Sequence, residues 1–139
     1  MNRDQGRATD SWQKAEAHLR EGLAQDADAS PMAIIHSSYY AMFHTARAVL
    51  FQVTGQAPKT HDRTIQQFGL LVRDLDDALR AAGKALNEVK DERNEADYDE
   101  TILPSSDEAR DALQAAADFL DICGARYGFR PIAPGALGD

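Results

Sequence analysis

The stretch SPMAIIHSSYYAMFHTARAVLFQVTG, from Ser30 to Gly55, carries a single formally charged side chain, Arg47, in a chain whose charged fraction is 27%. Ser30 followed by Pro31 is a helix start, a hydroxyl to cap free N–H groups and then a ring that needs no N–H partner. Gly55 is the matching stop. At about 100° per residue, Ile35, Tyr39, Met42, Ala46, Val49, Leu50 and Val53 fall on one stripe, so the periodicity is that of a helix with a core-facing side. His36, Tyr40, His44, Arg47 and Phe51 form a second stripe, and Ser38, Ala41, Thr45 and Ala48 a third of small residues. A helix with so little polar surface must be covered on most sides. It is therefore expected at the centre of a helical bundle, with the second stripe pressed against a partner subunit. Two histidines, Arg47, Gln52 and several hydroxyls make it a poor membrane span.

Upstream, residues 1–10 are polar and uncapped and are expected to be flexible. A helix should begin near Asp10 or Ser11 and carry Trp12, Ala15, Leu19 and Leu23 on one face, with His18 at its edge in a local structural role. Downstream, Thr60 is an N-cap candidate for a helix from His61 to about Val72. Gly69 inside it weakens the helix and predicts a close helix crossing. From Asp74 to Asp99, residues Leu75, Leu79, Ala82, Leu86, Val89, Arg93 and Ala96 follow alternating spacings of four and three, the seam of a bundle helix. Arg93 is the anomaly in that seam, and Asp97, four residues on, is its local candidate partner. Ser105 with Glu108 forms a capping box after Pro104. It opens a last helix lined by Ala109, Leu113, Ala116, Leu120 and Cys123 and ended by Gly124 or Gly128. The glycine- and proline-rich tail, residues 127–139, is expected to be disordered. The fold class is all-α, an up-and-down bundle of four to five helices over residues 11–126.

At 139 residues the chain is one domain. Its net charge of −8 sits in the second half, where nine basic side chains face seventeen acidic ones, and a field of that sign repels nucleic acid. The single cysteine, Cys123, excludes an internal disulfide and thiol-paired zinc, and the lack of an apolar N-terminal core points to the cytoplasm. Glu16 and His18 are two apart, not the three that a di-metal carboxylate helix requires, and His36 and His44 are eight apart. Zincin, P-loop and serine-hydrolase signatures are missing from the sequence. No metal and no cofactor are expected.

Three segments, SSYYAMFHTARAVL (Ser37 to Leu50), APKTHDRTIQQFG (Ala57 to Gly69) and DERNEADYDE (Asp91 to Glu100), together resemble the uncharacterised bacterial and archaeal branch of the HEPN domains, over roughly residues 11–125. The resemblance implies a four- or five-helix bundle that dimerises. In many members it also implies metal-independent ribonuclease activity from an arginine and a histidine four to six residues further on, one copy from each subunit. It places the arginine at Arg93, and here Tyr98 stands where the histidine is expected. A phenol of ordinary pKa about 10 is a poor proton acceptor at neutral pH beside an imidazole of about 6.5.

Three readings follow. In the first, the chain is a HEPN-type interaction module, a homodimer partnering a minimal nucleotidyltransferase in a toxin–antitoxin or defence pair, without ordinary ribonuclease activity. In the second, it is a ribonuclease in which Arg93 stabilises the phosphorus centre and His44, His61 or Tyr98 moves the proton. In the third, it binds a nucleotide or small ligand through Arg93, Asp97, Tyr98 and Tyr40.

Overall fold

The computed structural model describes residues 3–98 and 103–129, with the side chains of residues 3–5 and 96 outside the description. Five helices, and no strand, occur among the described residues: α1 (Arg3–Leu23), α2 (Pro31–Thr54), α3 (His61–Val72), α4 (Asp77–Tyr98) and α5 (Ser106–Tyr127). α2 is the axis and packs against each of the other four. Its small-residue stripe, Ser38, Ala41, Thr45 and Ala48, is fully buried. Along α1 and α2, His18 meets His44, Arg7 lies over Phe51 and Gly22 approaches Ser37, so the two helices run antiparallel over the most extensive interface in the fold. No helix of the described residues is long and apolar enough to cross a membrane.

Local chemistry accounts for most helix ends. Thr60 accepts from the Arg63 N–H, Ser105 and Glu108 form the reciprocal capping box, and Gly55 and Gly128 turn the chain out of α2 and α5 at φ of 79° and 76°. Ser30 differs from expectation, because its side chain makes no cap hydrogen bond and α2 starts on Pro31 alone. α4 starts at Asp77 rather than Asp74, since the Asp76 carboxylate accepts from the Leu79 N–H at 2.9 Å and so caps the helix there. Leu75 is thereby left outside the helix and exposed, while Leu79, Ala82, Leu86 and Val89 of the same seam are buried. Val53, assigned to the core stripe of α2, is also exposed, in the last turn of the helix.

Both ends of the bundle depart from expectation. α1 begins at Arg3, not near Asp10, because Ala8 continues the Trp12, Ala15, Leu19 stripe one turn upstream and is 2% exposed. At the other end, Phe129 folds back after Gly128 and stacks on Trp12 with centroids 5.0 Å apart, so residues 127–129 are packed rather than disordered. The expectation for residues 1–2 and 130–139 falls outside the described residues. The close crossing of α3 and α4 exists, but its tight member is Gly83: a Cβ there would sit 3.1 Å from Val72 Cγ2, whereas one on Gly69 would meet open space.

Candidate functional site

Arg93 reaches the α2 face where Tyr39 and Tyr40 project, and its guanidinium lies 4.9 Å and 5.3 Å from their ring centroids. Nη2 donates to Tyr40 Oη at 3.3 Å, and Nε lies 3.6 Å from Asp97 Oδ2, an ion pair too long to be a hydrogen bond. The other carboxylate oxygen of Asp97, Oδ1, accepts from His36 Nε2 at 2.8 Å. Arg93, 22% exposed, is thus held between two aromatic faces and a carboxylate that is itself tied to a histidine.

Beside it, Tyr39 Oη and His61 Nδ1 are 2.8 Å apart. Burial pushes the Tyr39 phenol up to about 12. It therefore keeps its proton and has it to donate to a neutral His61, an arrangement that puts the imidazole hydrogen on Nε2. Burial, then the charges of Arg93 and Arg47, holds His61 below the ordinary histidine value, and its ring stacks on Phe43 at 4.1 Å. His44 is one helical turn further along α2, stacked on His18 at 5.4 Å with its Nδ1 buried and without a hydrogen-bond partner. Burial, followed by His18, Lys14, Arg47 and His61, lowers it to about 4. An imidazole that weakly basic is a poor match for proton abstraction at neutral pH.

Arg93, Asp97 and Tyr40 are brought together, with His61 joined to them through Tyr39 and Tyr40. Tyr98 is not: five residues along a helix turn the side chain by about 140°, and it stands at the end of α4, 86% exposed. The second stripe of α2 is not the bare face expected of a subunit interface either. Phe51 is buried beneath Arg7 and Arg47, and Tyr40 and His44 are covered by His18 from α1 and His61 from α3. Two participants escaped the sequence reading. Tyr39 had the spacing of a core residue, and His36 carried no local signal of a partner 61 residues away. Among the described residues, no three His, Cys, Asp or Glu side chains gather to hold a metal ion.

The model of the HEPN domain matches residues 7–126. No curated protein matches the chain. With a match that covers nearly all of the five-helix bundle built around α2, the chain belongs to the HEPN domain family.

Proposed function

We propose that the protein is a HEPN interaction module of the cytoplasm that works as a homodimer beside a minimal nucleotidyltransferase in a toxin–antitoxin or defence pair and lacks ordinary ribonuclease activity. The observation that supports this best is the state of Arg93. A guanidinium that stabilises a phosphoryl transition state must offer its N–H groups to the substrate. Here Nη2 points to Tyr40, Nε faces Asp97, and a phosphate would have to compete with that carboxylate. The group five residues on is an exposed phenol with no imidazole in its place. Dimerisation and the nucleotidyltransferase partner rest on family membership, not on an exposed apolar stripe.

The test is incubation of the purified protein with structured RNA in EDTA at low salt, where phosphate contacts are strongest. No cutting above the buffer control is expected. Cleavage that survives EDTA and disappears in Arg93→Ala would overturn the reading. Light scattering of the protein alone should give twice the chain mass, and of the protein co-expressed with a neighbouring nucleotidyltransferase a stable complex.

A ribonuclease is the second reading, favoured by the contiguous Arg93, Asp97 and His36. In it the guanidinium supplies charge, and His36, oriented by Asp97, takes the role left open at Tyr98.

A further inference from the structure

We propose that the cleft between the first half of α1, the last half of α2 and the α2–α3 loop binds the polyphosphate group of a small molecule. The cleft measures about 510 Å³, the scale of a small-ligand site, and lies on the side of α2 that carries His44, Arg47 and Phe51. Four of the chain's fifteen basic side chains line it, Arg7, Lys14, Arg47 and Lys59, against one of its twenty-three acidic ones, Asp10. In a protein of net charge −8 that is a concentrated local reversal of sign. Among the described residues, none of these four cations is in a salt bridge, although Arg73, Arg80 and Arg110 all are.

The cations are also positioned. Arg47 Nη1 donates to the Pro58 carbonyl at 2.6 Å, and the guanidinium lies 5.3 Å from the Phe51 ring centroid, with Arg7 at 5.9 Å from the same ring. One nitrogen of Arg47 thus fixes the group while the others remain for a ligand. His44 lines the same cleft and carries the buried, unpartnered Nδ1. The groups around it are His18 and Lys14 from α1, Tyr40, Phe43 and Arg47 from α2, and His61 from α3, and the one carboxylate that lines the cleft with it is Asp10 of α1.

The spread of charge selects the ligand. Four cations from three segments match a compact group with several negative charges better than a single carboxylate or sulfate. A long nucleic acid would run from this cleft onto the acidic remainder of the surface, where repulsion returns. A small polyphosphate stays within one Debye length, about 8 Å at physiological salt, of the cations.

The probe is inorganic tripolyphosphate, titrated calorimetrically into the full chain at low salt. Saturable binding at one site per chain is expected, weakened about tenfold by Lys14→Gln or Lys59→Gln and unchanged by Lys84→Gln. All three side chains are exposed, so the variants should fold. Binding should also raise the pKa of His44 by about one, followed by NMR, because a neighbouring anion favours the imidazolium. The proposal is overturned by an absence of saturable binding, by affinity that survives the Lys14→Gln, Lys59→Gln double variant, or by a His44 titration that does not move. It is equally overturned if an oligoribonucleotide binds more tightly than tripolyphosphate with a stoichiometry that follows its length, which would make the cleft a nucleic-acid track.

Discussion

Replacing His44 with glutamine should flatten the acid side of the stability profile. The imidazole is lowered from an ordinary 6.5 to about 4 by burial and by the neighbouring cations. Its folded pKa lies below its unfolded one, so on acidification the unfolded chain takes up the proton first, near pH 6.5, and the native state only near pH 4. Stability from the neutral ring is therefore complete above pH 6.5 and is lost as the pH falls towards 4. With about 1.4 kcal/mol per pH unit between the two values, the ceiling is about 3 kcal/mol. The ring is only half-buried, so screening by water reduces this to about 1–2 kcal/mol. Urea denaturation followed by circular dichroism at pH 7.5, 6.5, 5.5 and 4.5 should show the wild type losing that much more than His44→Gln. His61, lowered for similar reasons, remains in the variant and leaves a smaller slope in the same window. A constant offset from the new side chain drops out, because only the change with pH is compared. Parallel profiles, or an NMR titration of His44 at pH 6 or above, would refute the reasoning.

Asp97→Ala should destabilise the fold by about 1 kcal/mol, because it removes a partly exposed ion pair to Arg93 together with the His36 hydrogen bond. Arg93→Met should change stability by no more than about 0.5 kcal/mol either way, and the reverse order in urea melts would mean that Arg93 itself holds the helices together. Gly69→Ala, in open space, should stabilise α3 by about 0.5–1 kcal/mol, whereas Gly83→Ala gains the same propensity but must displace Val72 Cγ2 from 3.1 Å and should come out neutral or worse. Tyr39→Phe removes the donor to His61 Nδ1 and should raise the His61 pKa, read by NMR; an unmoved or lowered value would place the proton on the other nitrogen.

What the sequence made legible was local. The bounds of α3, the Ser105–Glu108 box, the Gly55 stop and the four buried seam residues of α4 each depend on groups within one or two turns. The first turns of α1 have no cap signal and a polar composition; they are helical because Ala8 reaches a core built by distant residues, as tertiary packing overrides weak local preference. The same division runs through the candidate site. Arg93 and Asp97, four apart on one helix, could be paired from spacing, but His36 and Tyr39 join them from α2 and are separated from them by more than fifty residues. Tyr98 was read from a linear spacing, and helical geometry turns it away.

Charge shows why a chain-wide sum is a weak guide to what a protein binds. The acidic excess assigned to the second half is real and has a physical location: Glu92 is pushed above the ordinary carboxylate value by burial and then by Glu108, Glu88, Asp111 and Glu95, all on α4 and α5. The cleft cations come instead from α1, α2 and the loop after it, all within residues 1–60, where six basic side chains are matched by six acidic ones. Balance along the chain became imbalance in space because the helix period puts Arg7 and Lys14, seven apart, on one face of α1. Arg47 and Lys59 then meet them at the turn into α3. At distances beyond about 8 Å the net charge governs and repels an approaching polyanion; inside the cleft the nearest charges govern and the sign is opposite. An anion small enough to sit wholly inside is attracted where a long one is not, so ligand size decides which part of the charge distribution is felt.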